Sequence, residues 1–312
     1  MPKKGHGESS GKIILMGDHA VVYGEPAIAF PFHATKVVAR FTDDTQDFLD
    51  SSYYRGLLKD APHALKNIKV LLEQLKAHHQ LTHALHLHLT STIPAERGMG
   101  SSAAVAVAIT RAFYNYLSLP LDHDTLLNYV QISEKIAHGN PSGLDAAAAS
   151  SLKPIYFTKG HPFDYFALNI DAFLIVADTG MKGQTREAVK DVAHLFEKNR
   201  EDISQHIQKL GKLTKQAKDA IINNQPMLLG KCMSKAHEEL QHLTVSNSFL
   251  DTLIQTATSA GALGAKLTGG GRGGCMIALT TTNAEAQIVS QALADAGAVN
   301  TWIQGLGAHA NV

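Results

Sequence analysis

Residues 94–104 read P-A-E-R-G-M-G-S-S-A-A, and residues 105–113 continue V-A-V-A-I-T-R-A-F with no glycine or proline until Pro120. The pattern is a loop followed by a helix. Gly98 and Gly100 open backbone dihedrals closed to other residues, so successive N–H groups can turn toward one point. Ser101 and Ser102 are candidate helix N-caps. The helix start adds unpaired amides and the positive end of its dipole. A glycine-rich turn on a helix N-terminus suits an anion, most often phosphate. A tight, serine-capped loop without a ligand has the same local pattern, so the decision lies in the rest of the chain.

The 312 residues carry 28 Lys plus Arg against 28 Asp plus Glu, and 45% are apolar. At about 100–200 residues per domain, that length predicts two domains. Without a basic excess, neither nucleic acid nor a membrane surface is an expected partner, and any phosphate is held locally. Two cysteines, Cys232 and Cys275, are too few for a disulfide framework or a thiolate cluster. The first residues lack an apolar signal core, and the longest apolar run, 103–109, is far short of a membrane span. The expectation is a soluble cytoplasmic protein, with a homodimer possible. The 17 histidines cluster at His78, His79, His83, His86 and His88. Residues 85–89, L-H-L-H-L, alternate with period two, which predicts a half-buried strand with Leu inward and His outward rather than a dedicated metal site.

Ahead of the opening stretch, residues 10–17 form an apolar strand with Lys12 at its entrance and Asp18 and His19 at its exit. Residues 27–41 read as strand broken at Pro31, residues 43–60 as irregular, and residues 64–77 as an amphipathic helix on Leu65, Ile68, Leu71, Leu72 and Leu75. Beyond it, residues 126–137 predict a helix with Leu126, Leu127, Val130 and Ile136 on one side and Glu134 among the other positions. H-G-N-P at 138–141 breaks it, and S-G-L-D at 142–145 opens an alanine-rich helix. A buried strand at 172–177 empties into the polar turn D-T-G-M-K-G-Q-T-R at 178–186. Helices follow to about residue 239, with a break at Pro226, and another spans 251–260. Next comes G-G-G-R-G-G at 269–274, a loop whose backbone entropy is worth spending only where another backbone or a ligand comes close. A strand (276–280), a helix (284–296) and a last strand (301–305) complete the chain.

Four polar turns therefore stand out, at 12–19, 94–102, 138–145 and 268–274. Together they supply what phosphoryl transfer needs: phosphate-cradling amides, a cation, oxygen ligands for a metal and a carboxylate near an acceptor hydroxyl. The chain lacks G-x-x-x-x-G-K-[ST], H-R-D and D-F-G, so it is neither a Walker-type enzyme nor a protein kinase.

These motifs resemble the small-molecule kinases of the galactokinase, homoserine kinase, mevalonate kinase and phosphomevalonate kinase (GHMP) superfamily. Residues 94–104 match its P-x-x-x-G-L-G-S-S-A-A loop, with Met99 where Leu is usual, and 269–274 match its C-terminal glycine loop. Three stretches resemble the members that phosphorylate mevalonate: G-K-I-I-L-M-G-D-H-A-V-V-Y-G at 11–24, with Asp18 for the usual Glu, H-G-N-P-S-G-L-D at 138–145, and T-G-M-K-G-Q-T-R at 179–186. The resemblance implies an α+β fold of two domains, 1–172 similar to a ribosomal-protein-like domain and 173–312 ferredoxin-like, with the active site in the cleft between them. It implies transfer of the ATP γ-phosphoryl to the primary hydroxyl of mevalonate, with Mg²⁺ as cofactor. Asp145 would accept or orient the hydroxyl proton, and Lys12 would stand beside it. Ser101 and Glu134 would hold Mg²⁺. Pro94, Glu96, Arg97, Gly98, Met99, Gly100, Ser101, Ser102 and Gly270 would surround ATP. Asp18, His19, Tyr23, Thr179 and Gly180 would line the acceptor pocket, with Arg186 nearby. Phosphomevalonate or homoserine as acceptor, or a non-catalytic nucleotide-binding module, are the alternatives; the few basic residues near the motifs, Lys182 and Arg186 beyond Lys12, favour mevalonate over its phosphorylated form.

Overall fold

The computed structural model describes residues 3–139 and 142–309. Asn140 and Pro141 of the 138–145 motif lie outside the described residues. The strands are β1 (Lys4–Met16), β2 (Ala27–Asp44), β3 (Phe48–Asp50), β4 (Arg55–Leu57), β5 (Ala84–Ser91), β6 (Ile155–Phe157), β7 (Asp164–Tyr165), β8 (Phe173–Asp178), β9 (Gly264–Thr268), β10 (Cys275–Thr280) and β11 (Asn300–Gly305). The helices are α1 (Lys66–His78), α2 (Ser101–Leu117), α3 (His123–His138), α4 (Leu144–Ser150), α5 (Thr185–Lys198), α6 (Arg200–Ile222), α7 (Pro226–His242), α8 (Ser248–Ser259) and α9 (Asn283–Asp295). The chain divides into two units. One comprises the chain up to Lys12, Pro31–Pro94 and Gly100–Ser151; the other comprises Ile13–Phe30, Ala95–Met99 and everything from Leu152 onward. The chain thus passes between units at five points, one of them inside the glycine turn.

In the first unit, β5 lies between β2, antiparallel from Val37↔Ser91 to Asp44↔Ala84, and the short β3, parallel at Phe48↔His86. Leu85, Leu87 and Leu89 are buried, whereas His86 and His88 stay partly exposed, as the alternation predicts. Ile68, Leu71, Leu72 and Leu75 of α1 are buried, also as their spacing predicts. The alanine-rich α2 is buried around most of its circumference, and β1 lies directly against it. A side chain at Gly5 or Gly7 would collide with the α2 backbone at Ala112.

Two local expectations fail here. β2 runs unbroken through Pro31. The proline falls between the segment paired with β6 (Ala27–Ala29) and the segment paired with β5 (Val37–Asp44), so it interrupts neither of those ladders. Residues 43–60 are ordered rather than irregular: β3 and β4 pair through Phe48↔Leu57 and Asp50↔Arg55, and a short 3₁₀ turn follows at Leu58–Asp60. Strands of three residues carry too little periodicity to show in the sequence.

The second unit is built on the antiparallel sheet β11-β8-β10-β9. Every residue of β8 and β10 is buried. The register sets Asp178, Cys275 and Thr268 side by side, so the loops leaving β8 (179–184) and joining β9 to β10 (269–274) emerge at the same sheet end. β9 itself has no counterpart in the sequence expectations, which read its residues as the run-up to a loop. α7 starts with Pro226 in its first turn, and packs so closely on the start of β9 that a Cβ at Gly264 would strike the Gly230 backbone and one at Gly230 would strike Leu263.

Candidate active site

The first unit gathers Lys12, Gly100, Ser101, Ser102, Glu134 and Asp145. Lys12, near the end of β1, is buried, and its Nζ lies 3.0 Å from Asp145 Oδ1. Asp145, in the first turn of α4, is half-exposed, so the pair has one dry and one open partner. The Lys12 stem runs over Gly100. Gly100 has φ +70°, and a Cβ there would come within 2.6 Å of Lys12 Cγ. That position therefore needs glycine twice, for its left-handed backbone and for the space.

Gly100, rather than either serine, is the N-cap of α2, and no side chain caps the helix. Ser101 and Ser102 are its first helical residues, contrary to the capping role expected of them. The left-handed Gly100 turns the chain into the helix by itself, so the first-turn amides are not consumed by a serine cap. Glu134, expected away from the apolar side of its helix, lies on the buried face of α3 beside Val130. Its Oε1 and the Ser102 hydroxyl are both buried without a hydrogen-bond partner. Burial pushes the Glu134 carboxyl pKa upward. The nearby Ser102 hydroxyl opposes this, as do His138 and Lys12, while Asp145 adds to it. His138 Nε2 lies 3.9 Å from Glu134 Oε2. A buried carboxylate oxygen and a buried hydroxyl, both unpaired, form a donor set that a cation would complete.

The second unit gathers the remaining candidates except Pro94, and its own side chains largely occupy them. The Asp18 carboxylate is fully buried: Oδ2 meets Lys266 Nζ at 2.5 Å and Oδ1 accepts the Gly269 amide at 2.6 Å. His19 holds φ +59° and donates from Nε2 to the Gly270 carbonyl at 3.0 Å. That bond fixes the Nε2–H tautomer in the neutral ring and leaves Nδ1 as a buried acceptor without a partner. Burial lowers the His19 pKa, partly offset by the Gly270 bond and by Asp18. Tyr23 packs its ring on Phe196 of α5 at 5.0 Å, and burial, then Glu197, raises its pKa.

In the first half of the glycine turn, Pro94, at the end of the first unit's Pro31–Pro94 segment, is half-buried, and Met99 is buried. Gly98 approaches Gly269, and Glu96 pairs with Lys182 on the surface. Arg97 turns onto Asp178 and the Gly180 carbonyl. Thr179 is bound to Gly274 through both its amide and its hydroxyl, at 3.0 and 2.7 Å. Gly270 packs against Thr185, with no room for a Cβ. Arg186 is exposed at the start of α5.

Two residues that sequence reasoning passed over tie this second group together, Lys266 and Asp178, both buried. The signal for Lys266 was available. A lone lysine in the apolar run A-K-L-T before a glycine loop cannot be buried without an anion, which is Asp18.

Residues 63–153 match the family described as GHMP kinases N terminal domain, and residues 217–299 match GHMP kinases C terminal. The mevalonate kinase of Pyrococcus abyssi is 33% identical over 301 residues, covering 89% of each chain. The chain belongs to the mevalonate kinases of the GHMP family. Among solved structures, a mevalonate kinase from methicillin-resistant Staphylococcus aureus is 35% identical with a TM-score of 0.79, covering 98% of this chain and 99% of its own. The L. major mevalonate kinase, solved in complex with R-mevalonate, is 25% identical with a TM-score of 0.86 over 96% of each chain. For a GHMP kinase, the N-terminal match holds the glycine turn, Glu134 and Asp145, and the C-terminal match holds Lys266 and the glycine loop. The expected two-domain α+β architecture stands.

Proposed function

We propose that the protein transfers the γ-phosphoryl group of ATP to the primary hydroxyl of mevalonate, giving 5-phosphomevalonate and ADP. The observation that carries the chemistry is the Lys12–Asp145 pair, 3.0 Å apart, with the Lys12 stem lying on the Gly100 turn. Asp145 is the carboxylate that orients the acceptor hydroxyl and takes its proton. Lys12, held by burial and by Gly100, pairs with Asp145 and stabilises charge developing on the alcohol oxygen. The uncapped start of α2 offers its amides to the phosphates.

Glu134 and Ser101 would hold Mg²⁺, which when bound spreads the charge of the β- and γ-phosphates. The fit rests on the unpaired, buried Glu134 Oε1. Among the described residues no group of three or more His, Cys, Asp and Glu could hold a metal. That suits Mg²⁺, which takes one or two carboxylates and completes its shell with phosphates and water. In the second unit, the unpaired Nδ1 of His19 is the acceptor offered to a substrate hydroxyl. Asp18 acts at one remove, fixing Lys266 and the Gly269 amide. No helix among the described residues is long and apolar enough to cross a membrane, in keeping with a cytoplasmic enzyme acting on small molecules.

A coupled assay of ADP release with mevalonate, phosphomevalonate and homoserine tests the proposal. Mevalonate is expected to give the highest kcat/KM. Faster turnover of another acceptor, or ADP release independent of any acceptor, would overturn it.

A further inference from the structure

The resemblance sets Arg97 among the residues around ATP, yet its guanidinium is committed within the second unit. Nε donates to Asp178 Oδ1 at 2.8 Å, Nη2 to the Gly180 carbonyl at 2.7 Å and Nη1 to the Ala95 carbonyl at 3.3 Å. The same Asp178 oxygen accepts the Gly180 amide at 2.8 Å. The side chains are 16% and 3% exposed, so the pair is largely desolvated, where a hydrogen-bonded charge pair resists displacement.

The pair joins two segments with different destinations. Residues 95–99 lead into the Gly100 turn, whereas residues 179–184 leave β8 as the T-G-M-K-G-Q turn. Main-chain bonds already zip the second segment to its neighbours. Thr179 N donates to Gly274 O, Gly274 N to Met181 O at 2.8 Å, and Gly183 N to Glu96 O at 2.9 Å. None of these bonds holds Gly180. That residue has φ +75°, a region where glycine can rotate its flanking peptides at little cost. Its N–H is held by Asp178 and its C=O by Arg97. The exposed Lys182–Glu96 pair, 74% and 61% accessible, is too solvated to take over that task.

The geometry points to Arg97 as a positioning residue for the acceptor alcohol. Through Asp178 it holds the peptide before Gly180, and directly, with Thr179 Oγ1 accepting from Met181 N, the peptide after it, and so presents the Thr179–Gly180 turn in one orientation to the substrate. It does not bind the phosphates of ATP. This rests on the kinase reading above and on that turn lining the acceptor side.

The test compares Arg97→Met, Arg97→Lys, Asp178→Asn and the double variant Arg97→Met/Asp178→Asn with the unaltered protein. ADP release is measured once with mevalonate varied and once with Mg²⁺-ATP varied. Arg97→Met alone leaves Asp178 buried without its cation, so the double variant is the one expected to keep its fold, checked by thermal melting. In the double variant the KM for mevalonate is expected to rise about tenfold to a hundredfold, the scale of a misplaced contact, while the KM for ATP stays within about twofold. Arg97→Lys keeps the charge but cannot fork between Asp178 and Gly180, and is expected to fall between the unaltered protein and Arg97→Met. A rise confined to the KM for ATP would make Arg97 a phosphate ligand and overturn the proposal. A folded double variant with both KM values unchanged would make the pair scaffold only, with the same consequence. If the unaltered protein itself shows no mevalonate-dependent ADP release, the kinase reading fails first, an outcome distinct from an active enzyme whose mevalonate KM ignores Arg97.

Discussion

Replacing Gly100 by alanine tests the proposed Lys12–Asp145 chemistry through a single methyl group. Two costs are separable. An alanine in the left-handed region costs about 1–2 kcal/mol relative to glycine. For a chain of this size, at about 2–4 °C of Tm per kcal/mol, that lowers the melting temperature by a few degrees. The second cost is steric. The new Cβ would lie 2.6 Å from Lys12 Cγ and 3.1 Å from Cε, so the stem must retreat by 0.8 Å to reach the 3.4 Å of ordinary contact. Lys12 is buried and cannot retreat without pulling Nζ from its 3.0 Å contact with Asp145. A displacement near 1 Å in a positioned catalytic group costs about a hundredfold in rate, or about 2.7 kcal/mol of barrier. Gly160→Ala is the control. Gly160 has φ +84° with nothing within 4 Å of an added Cβ, so it carries the backbone cost alone. Both variants are expected to lose a few degrees in thermal melts, and only Gly100→Ala to lose about two orders of magnitude in kcat in the coupled ADP assay. A Gly100→Ala protein with near-normal kcat would show that Lys12 is not positioned by this turn.

Other substitutions probe separate groups. Lys12→Met and Asp145→Ala should each lower kcat by about 10²–10⁴, the range for positioned proton-transfer groups, and normal turnover in either would remove the mechanism. Glu134→Gln should raise the melting temperature in metal-free buffer while raising the Mg²⁺ concentration needed for half-maximal rate. Burial raises the Glu134 pKa, so its ionised form is held at a cost that the neutral amide escapes; unchanged Mg²⁺ dependence would count against the ligand role. Acid should destabilise the fold. Burial lowers the pKa of both His19 and His237 below their ordinary 6.5. Below pH 6.5 the unfolded chain therefore binds more protons, and stability is lost as pH falls from 6.5 toward the depressed folded values. Tm measured between about pH 8 and pH 5 in one buffer series should fall across that window, and less steeply in His237→Gln; a flat profile would contradict the neutral burial of these rings.

Local patterns sufficed wherever one short segment carried the information. The alternation of Leu85, Leu87 and Leu89 with His86 and His88 specifies a strand with one dry face, and the Ile68–Leu75 spacing specifies a helix face. The glycines of 94–104 specify a turn into a helix, and it is the resemblance of the 11–24, 138–145 and 179–186 stretches to mevalonate-phosphorylating members that implies mevalonate as acceptor. Where neighbours distant in sequence decide, those patterns go astray. Ser101 and Ser102 read as caps because serine usually caps, but the positive φ of Gly100 makes the cap a glycine. Glu134 reads as an outlying helix position, since a carboxylate on a buried face makes sense only once Ser102, Lys12 and Asp145 come near it. Arg97 reads only as one of the residues around ATP, since its partner Asp178 is 81 residues away.

By itself, then, the sequence determined the elements, the glycine turns and the chemical character of the residues in them, because backbone freedom, periodicity and side-chain chemistry are properties of a few adjacent residues. The resemblance already set Lys12 beside Asp145; tertiary structure alone decided that Asp18 meets Lys266 and Arg97 meets Asp178. The reason is that a buried charge is tolerable only beside its counter-charge, and that partner is chosen by packing and strand register rather than by distance along the chain. For the 94–104 stretch the consequence is a division of labour within one loop. Gly100 carries the Lys12 stem that reaches Asp145, while Arg97, three residues earlier, pairs with Asp178 at the end of β8.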